Sequence, residues 1–166
     1  MRITPLEIAR SQIGVRESGG RNRGPQVDEY LRSVGLDPAK GGVKGYAWCA
    51  AGVFWCVREA YQRDYAERGQ SGPATLPIKA TPWVWDLLKN RDRICNPKPG
   101  CVFVMSKSKV PSEMPFHAHC GFVDVVRGNV VDTIEFNTNV EGSREGDGVY
   151  KRTRKIADLH RFIDVM

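Results

Sequence analysis

The feature that most constrains this chain is a change of hydrophobic period at Pro97-Lys98-Pro99-Gly100. Before it, apolar residues recur at helical spacing; after it, they alternate or run together as strands do. A block of helices followed by a block of strands predicts an α+β fold, with N-terminal helices packed on a mainly antiparallel C-terminal sheet. In the first block, Thr4-Pro5-Leu6-Glu7 combines an N-cap threonine, a first-turn proline and a glutamate placed for a capping box. That helix is expected to end at Gly14, with Leu6, Ala9 and Ile13 on one face. A second is expected from Pro25 to Val34, with Val27, Tyr30, Leu31 and Val34 inward and Gly35 as its stop. The third begins near Ala47 and reaches Ala66. Its two apolar stripes, Cys49/Val53/Cys56/Ala60 and Ala50/Phe54/Val57/Tyr61, mark it as central and buried. A fourth follows Thr81-Pro82-Trp83 and runs to Asn90. Strands are expected at 101–105, 119–126, 129–135, 147–153 and 160–165, with Arg127-Gly128-Asn129 as a hairpin turn.

A chain of 166 residues buries one good core and is read as a single domain. No apolar run reaches the roughly 18 to 20 residues of a membrane span. The opening Met1-Arg2-Ile3-Thr4-Pro5-Leu6-Glu7 lacks the apolar stretch of a signal peptide, so synthesis in the cytoplasm followed by delivery through a lysis pore or an injection machine is expected. The net charge of +6 favours an anionic partner, and nucleic acid and bacterial wall both qualify. Nucleic acid is disfavoured, because the chain has no finger-like metal pattern, no RNA-binding aromatic signature and no basic arm. Five cysteines, an odd number, suit free thiols better than a disulfide framework, although Cys95 and Cys101 are a pair to watch after export.

Chemistry is concentrated at Cys49. It stands where Gly45 closes a loop and a helix opens, so unpaired N–H groups and the helix dipole favour its thiolate. The histidines available as a base number three, His117, His119 and His160, and His119 leads the apolar run His119-Cys120-Gly121-Phe122-Val123. Alternation places His119, Gly121, Val123 and Val125 on one face and Cys120, Phe122, Asp124 and Val126 on the other. A second run ends in Thr133-Ile134-Glu135-Phe136-Asn137. Folded back through the hairpin turn, it brings Glu135 level with His119 and Asn137 two residues further on the same face. A carboxylate or amide on one ring nitrogen fixes the tautomer while the other nitrogen takes the thiol proton, the composition of a papain-type site. His119 is preferred to His117 as the base, since it begins the regular strand and Gly121 leaves room beside it.

Trp48-Cys49-Ala50-Ala51, Pro97-Lys98-Pro99-Gly100, the strand from His119 to Val123 and the stretch Thr133 to Asn139 resemble the CHAP domain, the cysteine, histidine-dependent amidohydrolase/peptidase of bacterial and phage cell-wall lysins. The resemblance extends from the Ile8–Glu17 opening to the last strand. It implies a papain-like fold with Cys49 as nucleophile, His119 as base and Glu135 and Asn137 orienting it. The chain differs from the family pattern where Cys101 follows the Pro-Gly and Cys120 follows the histidine, positions commonly acidic and valine-like. A single CHAP-like catalytic domain over 1–166 is expected, without a separate wall-binding module.

The resulting expectation is a peptidoglycan amide hydrolase, an endolysin or a secreted antibacterial effector, acting on the wall or in the periplasm as a monomer. Peptidoglycan is the partner, an effector adds delivery machinery and an immunity protein, and the chemistry requires no metal or organic cofactor. Trp48 is either plain core or a lining residue for the substrate groove, and Gln26 or Asn22 is a candidate oxyanion donor beside the Cys49 N–H. The loop Ser18–Gly24 is expected to be exposed and near substrate. Alternatives are an intracellular papain-like thiol protease, including a deubiquitinase-like one, and a zinc-binding structural or interaction protein using His117, His119 and Cys120 with Cys95 or Cys101.

Overall fold

A computed structural model describes residues 3–71, 74–106, 118–139 and 146–166. Helix α1 (Pro5–Ser11) starts as the sequence dictates: Thr4 Oγ1 accepts from the Glu7 N–H at 3.2 Å, and the Glu7 carboxylate accepts from the Thr4 N–H at 2.7 Å. Helix α2 (Pro25–Ser33) buries Val27, Tyr30 and Leu31 and stops before Gly35, whose φ of 80° suits the left-handed end of a helix. Helix α3 (Cys49–Glu67) is the central one, buried along both predicted stripes from Cys49 to Ala60 and only partly at Tyr61.

The sheet contains β1 (Ile94–Cys95), β2 (Val102–Ser106), β3 (Ala118–Arg127), β4 (Val130–Thr138), β5 (Gly148–Lys155) and β6 (Arg161–Ile163) in the order β1-β6-β2-β3-β4-β5. Among the described residues every strand pairing is antiparallel, and the predicted α+β class, helices on an antiparallel sheet, is the fold observed. Arg127 pairs with Val130, so the β3–β4 hairpin turns at Gly128 (φ 58°) as its sequence requires. The large core lies between helices and sheet, where Phe54 and Phe136 are each worth about 1.5–3 kcal/mol of burial. A smaller apolar cluster, Cys101, Phe103, Met105, Val123, Val131, Leu159 and Phe162, occupies the opposite face. Gly52 sets the height of α3 above the sheet: a Cβ there would lie 2.3 Å from the Phe136 ring.

Local expectations fail where the chain turns early. α1 ends at Ser11, and the Gly14 N–H donates to Val149 O at 3.1 Å, so Ile13 is swung out to 39% exposure. The expected fourth helix is a short 3-10 segment, Val84–Lys89, held between the Thr81 hydroxyl, which accepts from the Trp83 N–H at 3.0 Å, and Asn90, whose amide donates to Leu87 O at 2.9 Å. Between these two clamps only tight turns fit. A bulge between Val123 and Val125 shifts the β3 alternation, exposing Val125 and packing Val126 against the smaller cluster with Val123. β1 is too short to leave a period in the sequence. His117 lies outside the described residues.

Candidate active site

Cys49 is the first residue of α3, and the segment before it is fixed on several sides. The Trp48 indole stacks on Tyr30 with 5.7 Å between centroids, and its Nε1–H donates to Glu17 Oε1 at 3.0 Å. With the Asn137 amide oriented to suit its neighbours, its oxygen accepts from the Trp48 backbone N–H at 3.1 Å while its nitrogen donates to Asn22 Oδ1 at 3.2 Å and Gly146 O at 3.0 Å. Asn137 adopts φ 53°, which takes it off the regular β4 alternation. The structure therefore brings Asn137 to the start of α3, whereas the sequence placed it on the His119 ring.

His119 is fully buried on β3 and its Nε2–H donates to Glu135 Oε2 at 2.9 Å. That contact follows from register, since Gly121 stands opposite Glu135 and a Cβ on it would meet Ile134 O at 2.6 Å. Only glycine allows the strands to carry both large polar side chains there. Nδ1 has no partner in ordinary hydrogen-bond geometry, and the group that interacts with His119 from α3 is the Cys49 thiol.

The charges are strongly biased. A hydrogen bond from the Cys120 thiol lowers Cys49 well below the ordinary thiol range; burial opposes this, and the hydrogen bond and charge of His119 add to it. Burial works against the His119 imidazolium, yet hydrogen bonding to Cys49 and Glu135 and their charges raise it to about 9. Burial would also raise Glu135, but Arg154 and His119 outweigh it and hold the carboxyl below the usual carboxylate range. A thiolate–imidazolium pair backed by a carboxylate is thus the favoured state at neutral pH. Such a pair attacks carbonyl carbon and can return a proton to a leaving amine.

Some predicted residues are elsewhere. Trp48 is buried to 0% exposure and is core, not groove wall. Gln26 donates to Glu29 Oε2 at 2.9 Å on α2, and Asn22 Nδ2 donates to Lys44 O at 2.7 Å, so each amide nitrogen is directed at an internal acceptor. Asn22 does tie the Ser18–Gly24 loop to the site through Asn137. His160 is exposed and edge-on to Trp85 at 5.3 Å. All five cysteines are free, with the Cys95 and Cys101 thiols adjacent. Among the described residues no group of three or more His, Cys, Asp or Glu is gathered as for a metal ion, and no helix is long and apolar enough to cross a membrane.

Sequence reasoning missed Arg154, Thr133 and the partnership of Cys120 with Cys49. Arg154 Nε donates to Glu135 Oε1 at 2.8 Å and its Nη2 to Oε2 at 2.6 Å, while Thr133 Oγ1 donates to Oε1 at 2.7 Å. Thr133 shares the Glu135 face by alternation and was findable. Arg154 was hidden in Lys151-Arg152-Thr153-Arg154-Lys155, which reads as a solvated strand.

Against known proteins, the family model described as the CHAP domain matches residues 41–137, the stretch that carries Cys49, His119, Glu135 and Asn137. No curated protein and no solved structure gives a match.

Proposed function

Because the chain belongs to the CHAP domain family, whose general activity is that of a cell-wall amidase or peptidase, we propose that it cleaves an amide bond of peptidoglycan by thiol catalysis at Cys49. The observation that carries this reading is the line Cys49–His119–Glu135, with the thiol lowered and the imidazole raised toward one another. The Cys49 thiolate adds to the amide carbonyl, and the oxyanion that forms is met by backbone N–H groups at the start of α3. Collapse of that intermediate breaks the C–N bond as His119 gives its proton to the leaving amine. Water, deprotonated by the now neutral His119, then hydrolyses the thioester. Glu135 fixes the ring so that Nδ1 faces the sulfur, and Asn137 holds the Trp48 N–H and hence the first turn that carries Cys49.

In this reading the protein works on the wall or in the periplasm after delivery, as an endolysin or an antibacterial effector met by an immunity protein in its producer. The test is digestion of purified peptidoglycan by the wild-type protein and by Cys49→Ala, with mass spectrometry of the fragments to locate the bond. Release of new amine ends by wild type only, at matched melting curves, is the expected result. An active Cys49→Ala protein overturns the thiol mechanism.

A further inference from the structure

Behind Glu135 stands a residue that no catalytic formula of cysteine, histidine and carboxylate requires. Arg154 comes from β5, where it pairs with Val131, while Glu135 pairs with Tyr150, so the arginine reaches along the sheet to make its two-point contact. The Glu135 side chain has 0% exposure and that of Arg154 17%. The fork engages both carboxylate oxygens, and Oε2 is the same atom that accepts from His119. The carboxylate cannot rotate away from the ring without giving up a contact to the guanidinium.

We propose that Arg154 is a positioning residue of the thiol site, which holds Glu135 charged and aimed at His119 and thereby sets the lowest pH at which Cys49 is a nucleophile. The inference rests on the thiol reading above. Its physical basis is a charge count: thiolate, imidazolium, carboxylate and guanidinium sum to zero in a buried site. Without the guanidinium the cluster is negative, and every protonation within it becomes easier, including the one that quenches the thiolate. The groups facing the cluster are Arg154 from β5, His119 and Cys120 from β3, Thr133 from β4, Cys49 from α3 and Asp158 just beyond β5, whose charge acts on Arg154. Tyr150 and Arg152 share the Arg154 face of β5 by alternation and stay in place in the variants below.

The experiment follows carboxamidomethylation of Cys49 by iodoacetamide, located by mass spectrometry, from mildly acidic to mildly alkaline pH in wild type, Arg154→Gln and Arg154→Lys. No wall substrate enters it. In Arg154→Gln the rise of reactivity with pH should move up by about one unit, an about tenfold loss in mild acid with the alkaline plateau kept, whereas Arg154→Lys, which keeps the charge but not the two-point contact, should shift by clearly less. A glutamine variant that is folded and unshifted, or a lysine variant shifted as far as the glutamine one, overturns the proposal. Loss of strand pairing alone would lower the folded fraction without moving the pH profile. Should Arg154→Gln fail to fold, 13C NMR of the Glu135 carboxyl in wild type still decides: it should stay ionised throughout the pH range in which Cys49 loses reactivity, and a proton taken up in step with that loss overturns the proposal. Failure of the thiol reading has its own signature, a wild-type Cys49 that reacts no faster than an ordinary thiol at neutral pH, and the proposal falls with it.

Discussion

The two faces of the β3–β4 hairpin do opposite things. Toward the helices, Cys120, Phe122, Ile134 and Phe136 join Cys49, Val53 and Cys56 in an apolar core. On the other face, Thr133, Glu135 and His119 form a buried hydrogen-bonded line closed by Arg154. Consecutive residues of β3, His119 and Cys120, belong to different faces, and Cys49 at the start of α3 interacts with both. The dry side supplies a nucleophile stripped of water, and the polar side supplies the counter-charges that make its ionisation affordable. A thiolate on the helix side alone would simply take up a proton, as Cys56 illustrates, its thiol raised well above the ordinary range by burial.

Removing groups from each side separates their contributions. Cys49→Ala should abolish wall hydrolysis without unfolding the protein. On the polar side His119→Ala should cost at least about a hundredfold in rate, since one ring both stabilises the thiolate and protonates the amine. Glu135→Gln should cost less, because the ring remains, although it leaves Arg154 partly buried without its anion. His117→Ala should cost least of these. Rates read beside thiol alkylation test the division: alkylation of Cys49 should slow in the His119 and Glu135 variants only, and a His117 variant as inactive as the His119 one would reassign the base.

Packing around glycine gives the next largest effect and contrasts the faces directly. A Cβ on Gly52 meets the Phe136 ring on the apolar side, and one on Gly121 meets Ile134 O at 2.6 Å and Glu135 Cγ at 3.1 Å on the polar side. Each alanine substitution should destabilise by about 1–3 kcal/mol in a denaturant melt. Only Gly121→Ala should also lower the rate of the folded fraction, because it displaces the carboxylate. Equal rates per folded molecule in both variants would remove the link between hairpin register and chemistry.

How far the sequence could be read follows the same division. The chain order, the capping box at Thr4, the two-sided burial of α3 and the pairing of His119 with Glu135 were legible because each depends on local period or on a single hairpin register. Asn137 was placed wrongly because its left-handed backbone breaks the alternation on which its face was inferred. Trp48 was left between groove and core because aromatic character alone does not tell which, and its burial comes from Tyr30, Phe136 and Glu17, brought in from three separate segments. Arg154 and Cys120 gained meaning only when β5 and α3 were laid against the hairpin.

The pH profile sharpens the polar side further. Activity should hold across neutral pH and decline as pH rises through about 9, where His119 loses the proton it delivers to the leaving amine. Alkylation of Cys49, which needs only the thiolate, should persist above that point. Parallel loss of both would mean that the alkaline limit reflects unfolding and not the imidazolium.

The smallest effect is expected from the apolar side's one contribution to charge. Cys120, 0% exposed and itself raised well above the ordinary thiol range by burial, remains a protonated donor to the Cys49 sulfur. A single hydrogen bond to a buried anion is worth about 1.5–3 kcal/mol when its loss is uncompensated, and less here because His119 and the first turn of α3 still serve the thiolate. Cys120→Ala should therefore slow alkylation of Cys49 in mild acid severalfold, leave the alkaline plateau unchanged and spare the His119–Glu135 contact. Cys120→Ser restores a hydroxyl donor at the same place and should recover most of the loss, whereas Cys56→Ala, on the same helix face but without a role in the charge, should change stability and not the profile. If Cys120→Ala leaves the acid limb where it was, the thiolate is held by the polar face and the helix start alone, and the apolar face acts only by excluding water.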